Sequence, residues 1–212
     1  MCFLCCRQAG KSTAAAALAL RAALLEPGSL VLLLSPTLRQ SGELYRDKLL
    51  RLYHRLGRPV RASRETALTL ELANGSRVVS LPESEEGIRG FSGVRLLVID
   101  EASRVSDALY GAVRPMLAVS RGGLVALSTP FGRRGWFFEA WERGGPAWQR
   151  VKVTADQCPR ISPQFLAEER QALGERWWLQ EYFCAFHRAA DAVFDPELVR
   201  AAIRPDVKPL WG

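Results

Sequence analysis

The chain has 212 residues, is 48% hydrophobic, and carries a formal net charge of +7 from 29 Lys+Arg against 22 Asp+Glu. That length suits one α/β domain with a small helical appendage. No apolar run approaches the ~20 residues that cross a bilayer, and no basic region precedes a long apolar core, so the expectation is a cytosolic chain without a signal peptide. A pI near 9.5 suits a polyanion partner, although arginine-rich composition also accompanies GC-rich genomes. Five cysteines, at 2, 5, 6, 158 and 184, lack zinc-site spacing and are odd in number. They read as small buried hydrophobes rather than a metal site or a disulfide framework. His54 and His187 read as structural.

The first predicted strand is Cys2 to Cys6. It runs into Cys5-Cys6-Arg7-Gln8-Ala9-Gly10-Lys11-Ser12, and a helix is expected over Thr13 to Leu25. Gly10, Lys11 and Ser12 fit the end of G-x-x-x-x-G-K-[ST], with Cys5 where the first Gly is usual. A glycine turn between strand and helix would aim backbone N–H groups and a positive helix end at an anion. Lys11 would reach the β- and γ-phosphates, and the Ser12 hydroxyl would bind Mg²⁺. An ordinary strand–turn–helix corner is the other reading of this stretch alone. Lysine occurs only at 11, 48, 152 and 208, so its use in the loop favours a compact ammonium with a task. Cys5 and Cys6 lie in the loop, which makes alkylation a possible block to nucleotide.

Further along, Pro27-Gly28 turns the chain and Leu30 to Leu34 is a buried strand ending at Ser35-Pro36-Thr37. Apolar spacing predicts a helix over Gln40 to Leu56. Thr66 to Leu72 and Arg77 to Leu81 alternate around Asn74-Gly75, which predicts a hairpin at the sheet edge. Pro82 to Gly93 reads as a loop with Glu83, Glu85 and Glu86.

Leu96 to Ile99 is an apolar run ending in Asp100-Glu101. The carboxyl end of a buried parallel strand is where α/β sheets bind ligands. Asp100 would hold the Mg²⁺ shell, and Glu101 would polarise the water that attacks the γ-phosphate. The plainer alternative is an N-cap and a first-turn acid. Ser106 to Val119 reads as a helix that Pro115 breaks or kinks. Gly123 to Leu127 is a strand leading to Ser128-Thr129-Pro130-Phe131-Gly132. Its hydroxyls could meet a γ-phosphate or Glu101, but on chemistry alone it is a turn. A late strand follows over Trp148 to Val153. Ser162-Pro163 caps a helix over Gln164 to Leu173. A second helix, Glu175 to Phe186, carries an aromatic stripe that reads as packing. Pro205 to Gly212 reads as a frayed tail.

Taken in order, Cys5-x-Arg7-Gln8-x-Gly10-Lys11-Ser12, Val98 to Ala102, Ser128 to Gly132, Gly135 to Trp141, and Gln180-Glu181-Tyr182 with Phe186 and Val193-Phe194 resemble the ATPase domain of the large terminase subunit of tailed bacteriophages. The resemblance spans Cys5 to about Phe194. It implies a P-loop NTPase three-layer α/β sandwich with a mostly parallel sheet, of the additional-strand, catalytic-Glu type. It implies ATP as substrate, bound by Cys5, Cys6, Arg7, Gln8, Ala9, Gly10, Lys11, Ser12 and Thr13, and Mg²⁺ at Ser12 and Asp100. Glu101 is the implied catalytic base, Arg7 a γ-phosphate contact in cis, and Arg89 one in trans. Ser128, Thr129 and Pro130 are the implied coupling motif.

The implied activity is ATP hydrolysis that drives double-stranded viral DNA into a procapsid. The implied partners are double-stranded DNA, the portal protein, the small terminase subunit and a homo-oligomeric ring on the procapsid, with no membrane. The implied location is the cytoplasm of the infected or lysogenic bacterial host, outside the mature virion. Arg133, Arg134 and the stretch Arg46 to Arg64 are candidate DNA contacts. The expected organisation is an ATPase core over 1–155, a helical segment over 156–204 and a tail over 205–212.

Two features depart from the family. Only Met1 to Leu4 precede the loop, where the family has residues for adenine recognition; a start further upstream and a trimmed gene both fit. Asp191, Asp195 and Asp206 are too scattered for the family's two-metal nuclease, so no nuclease activity is expected. A helicase-like DNA-translocating ATPase and a non-catalytic remnant of a truncated prophage terminase gene are the alternatives.

Overall fold

A computed structural model of the chain describes residues 1–82, 88, 90–187 and 202. Its strands are β1 (Cys2–Cys5), β2 (Leu30–Ser35), β3 (Ala62–Glu65), β4 (Thr69–Leu72), β5 (Arg77–Pro82), β6 (Val94–Asp100), β7 (Gly123–Ser128) and β8 (Arg150–Val153). They form one sheet in the order β3-β4-β5-β2-β6-β7-β1-β8. The six strands from β5 to β8 pair in parallel, and only β3–β4 and β4–β5 are antiparallel. β7 is inserted between the strand that leads into the loop, β1, and the strand that ends in Asp100, β6. This is the additional-strand arrangement expected above.

Both faces of the sheet are covered, so central strands are apolar throughout rather than alternating. All six residues of β2 are buried. Val31 and Leu33 point to one face, against helix α1 (Lys11–Leu25); Leu30, Leu32 and Leu34 point to the other. α1 buries Ala15, Ala16, Ala19, Ala22 and Ala23. These short side chains let the helix approach the sheet closely, and alanine has the best helix propensity.

The helical run expected from Gln40 begins slightly earlier. It consists of α2 (Leu38–Gly42), a π-helical segment (Glu43–Leu50) and α3 (Arg51–Arg55). Thr37 starts it by accepting a hydrogen bond from the Gln40 N–H at 3.2 Å. Tyr45, Leu49 and Tyr53 are fully buried and spaced by four. Residues four apart share one helix face, and the first two of these three lie in the π-helical segment.

The Asn74-Gly75 turn forms, but the hairpin is not at the edge. β5 pairs with β2 on its far side, and the edge is taken by β3, which the alternation did not reveal. β3 is Ala-Ser-Arg-Glu, largely exposed, and pairs irregularly with β4. The turn is tied to α1 by Asn74 Nδ2, which donates to the Ala23 carbonyl at 2.9 Å.

On the other face lie α4 (Asp107–Val113), α5 (Gly135–Arg143), α6 (Pro163–Leu173) and α7 (Glu175–Phe183). α4 gives way to a 3₁₀ turn (Arg114–Leu117) at Pro115, as expected. Ser162 caps α6 by accepting from the Phe165 N–H at 3.2 Å, with Pro163 in the first turn. α7 stops three residues earlier than expected, because Cys184 adopts a left-handed conformation. Leu166 of α6 and Tyr182 of α7, with Cys184, join the core of this face. Among the described residues no helix is long and apolar enough to cross a membrane. Arg89, the acids at 83, 85 and 86, Val193-Phe194, the three late aspartates and the tail lie outside the described residues.

Candidate nucleotide site

The loop between β1 and α1 is shaped by two left-handed residues, Gln8 (φ 60°) and Gly10 (φ 91°). Gly10 is favoured by its backbone. Its φ disfavours a side chain, and an added Cβ would lie 3.3 Å from Arg160 Nη2. Cys5 tolerates the place of the usual glycine because it is the last residue of β1, with its side chain buried. Thr13 lies exposed in the first turn of α1.

β1, β7 and β6 end together. Leu4 is opposite Ser128, and Leu127 is opposite Asp100. This brings the loop and the acidic strand end into contact. Ser12 Oγ donates to Asp100 Oδ2 at 2.8 Å, and the Glu101 N–H donates to Asp100 Oδ1 at 3.1 Å. Lys11 Nζ lies 3.7 Å from Glu101 Oε1. Burial pushes the Asp100 carboxyl above its ordinary pKa, opposed by the Ser12 hydrogen bond and the Lys11 charge. Burial also raises Glu101; Lys11 opposes that shift and Asp100 adds to it. Glu101 itself has φ 50° and ψ 42°. A non-glycine residue in that region carries strain of roughly 1–3 kcal/mol, which here aims its carboxylate at Lys11.

Ser128 does not meet Glu101. Its hydroxyl lies 2.6 Å from Ser103 Oγ and accepts from the Ser103 N–H at 3.2 Å. Ser103 Oγ donates to the Thr129 carbonyl at 2.8 Å. Since a hydroxyl has one proton, Ser128 must be the donor in the 2.6 Å contact. Ser103 sits in the 3₁₀ turn (Ala102–Arg104) directly after Glu101. The end of β7 is therefore wired to the backbone that carries Glu101. Ser128, Thr129 and Pro130 are all buried. Ser103 escaped the sequence reading; its one signal was a small hydroxyl two residues beyond the acidic pair.

Arg7 is held by Glu181. Its Nε lies 3.4 Å from Glu181 Oε2, and its N–H donates to the Glu181 carbonyl at 2.9 Å. The Arg7 side chain is 69% exposed while that of Glu181 is 9% exposed, so the guanidinium is tethered at one end and otherwise solvated. Arg160 Nη2 donates to the Gln8 carbonyl at 3.3 Å. Glu181 entered the sequence reading only as part of the family likeness, and Arg160 did not enter it. The loop cysteines are buried, as small hydrophobes are expected to be. Burial pushes Cys5 to about 11 and Cys6 to about 12.

The sequence matches the family of terminase large subunits, T4likevirus-type, N-terminal, over residues 2–200. The chain belongs to that family. The ATPase domain of the large terminase of Thermus phage P74-26 superposes with a TM-score of 0.74 at 22% identity, covering 88% of each chain. The large terminase of a thermophilic bacteriophage in complex with ADP gives 0.71 at 16% identity, and that of bacteriophage HK97 gives 0.66 at 14%. Identities this low speak for the fold. The chain covers 48% and 46% of those two longer terminases. No curated protein matches the sequence.

On this terminase ATPase domain the candidate DNA-binding arginines fall in two separate places. Arg133 and Arg134 are exposed in the loop after β7, near the rings of Phe138 and Phe131 at 5.9 and 6.0 Å. Arg46, Arg51, Arg55, Arg58, Arg61 and Arg64 are exposed along the helical run and β3. Two of them are partly neutralised, Arg46 by Asp47 at 3.6 Å and Arg64 by Glu71 at 3.8 Å.

Proposed function

We propose that the chain hydrolyses ATP at the β1–α1 loop and uses the free energy to move double-stranded DNA into a procapsid. The observation that carries this reading is the pairing of Lys11 with Glu101 and of Ser12 with Asp100, which joins the loop to the acidic strand end.

The loop N–H groups and Lys11 neutralise the β- and γ-phosphates. Once phosphate competes for Lys11, Glu101 is released to accept the proton of the attacking water. The Ser12 hydroxyl and the Asp100 carboxylate are two hard oxygens already side by side, which fits a hard divalent cation. Bound Mg²⁺ would supply charge neutralisation on the β- and γ-oxygens. Arg7 would leave Glu181 to reach the γ-phosphate, and Arg89 of a neighbouring copy in a ring would add charge in trans. The Ser103–Ser128 contact gives the coupling motif a path, since a shift at Glu101 reaches the end of β7 directly. Exposed arginines would grip DNA phosphates without reading sequence. The portal protein and the small terminase subunit are the expected partners, in the cytoplasm of the bacterial host.

The test is Mg²⁺-dependent phosphate release by the purified chain beside Lys11→Ala and Glu101→Gln, with and without portal-bearing procapsids. Turnover that Glu101→Gln leaves intact would sink the assigned chemistry. Turnover that procapsids never stimulate would sink the packaging role.

A further inference from the structure

The phosphate chemistry leaves the base and ribose without a place, and the segment after β8 supplies one. β8 runs parallel to β1 with Cys5 opposite Val153. Both strands therefore deliver their following residues to the same end of the sheet, where α/β folds bind ligands. After β1 comes the phosphate loop. After β8 comes a 3₁₀ turn (Ala155–Gln157), fixed by a reciprocal Thr154–Gln157 capping box, and then Arg160 and Ile161. The Arg160 guanidinium lies against the outer wall of the loop, bonded to the Gln8 carbonyl and packed over Gly10.

Beside it opens a crevice of about 790 Å³ walled by Arg7, Gln8, Arg160, Ile161, Phe165 and Tyr182. Small-molecule sites span roughly 300–1,000 Å³. Phe165 is 42% exposed, whereas its neighbour Leu166 carries the core contact of α6. Its position is nonetheless set: its N–H donates to the Ser162 cap, and its ring meets Tyr182 edge-on at 6.1 Å and 84°. Tyr182 in turn is locked by its hydroxyl, which donates to Glu169 at 2.8 Å. A solvent-facing ring held in place, in the same crevice as a guanidinium on the phosphate loop, is a stacking surface for a planar heterocycle.

We propose that this crevice receives the nucleoside end of the nucleotide, with the base stacked at Phe165 and Arg160. The proposal rests on the nucleotide reading above. It assigns base binding to the segment after β8 and the start of α6, whatever precedes Met1.

The test is calorimetric titration with ATP and with inorganic tripolyphosphate, both with Mg²⁺, on the wild type, Phe165→Ala, Phe165→Trp and Arg160→Ala. Phe165→Ala is expected to weaken ATP about ten-fold and to leave tripolyphosphate within about two-fold. Arg160→Ala should also weaken ATP, by about five-fold. Phe165→Trp should keep ATP affinity, and its added emission should be quenched by ATP and not by tripolyphosphate. Unchanged ATP affinity in both alanine variants overturns the proposal. So does a wild type that binds ATP no better than tripolyphosphate, although the phosphate site then stands. A wild type that binds neither ligand overturns the nucleotide reading itself, and this proposal with it.

Discussion

The two ends of the sheet's strand order treat charge in opposite ways. Around β6, β7 and β1, carboxylates and hydroxyls are buried, cross-linked and held on strained backbone: Asp100 and Ser128 are 7% and 0% exposed, and Glu101 is left-handed. Around β3 and β4 the charges are exposed and paired across solvent, such as His54 Nε2 with Glu65 Oε2 at 3.2 Å. The first arrangement costs folding free energy and stores chemistry. The second costs little and holds little. Stability and activity should therefore respond to substitution in opposite patterns at the two ends.

The largest expected effect is on turnover. Glu101→Gln should lower phosphate release by roughly 10²–10⁴-fold with ATP binding kept, whereas Lys11→Ala should lose ATP binding itself; stopped-flow phosphate release with calorimetry separates the two. Next is the core beneath both ends. Leu33→Ala removes a fully buried side chain from the middle of β2 and should cost about 3 kcal/mol in chemical denaturation.

Glu101→Gly sharpens the contrast further. It relieves the left-handed strain and removes a partly buried carboxylate, so it should raise stability by ~1 kcal/mol while abolishing turnover. A variant that melts lower than wild type would refute the idea of stored strain.

The thiols give a pH test. Burial raises Cys2, Cys6 and Cys184 to about 12 and Cys5 to about 11. A raised thiol pKa means the thiolate is scarce below that value and gains population as pH rises through it. Native protein at pH 8 should react slowly with maleimide and keep its ATP binding, and all five thiols should react after unfolding, read by mass spectrometry. The smallest effect belongs to the β3 end. His54→Ala should change stability by less than ~0.5 kcal/mol, because each partner is more than a third exposed.

Much of the site was legible because its signals are short-range. The loop glycine and lysine, the apolar run before Asp100-Glu101, the Ser162-Pro163 cap and the Asn74-Gly75 turn each act within a few residues of themselves. The π segment was not legible, since spacing of four at Tyr45, Leu49 and Tyr53 also suits an α-helix with a drifting face. The edge strand β3 was hidden because its exposed residues carry no apolar alternation.

The residues by themselves determined which groups line the glycine turn at the start of α1, since a loop and its helix are built from adjacent amino acids. Tertiary structure alone decided that β7 separates β1 from β6, that Ser128 bonds Ser103 rather than Glu101, and that Glu181 holds Arg7. It also decided that Arg160 reaches Gln8 across 152 residues of chain. Those contacts follow from how apolar faces on both sides of one sheet are buried together, and no local pattern encodes which distant strand ends will coincide.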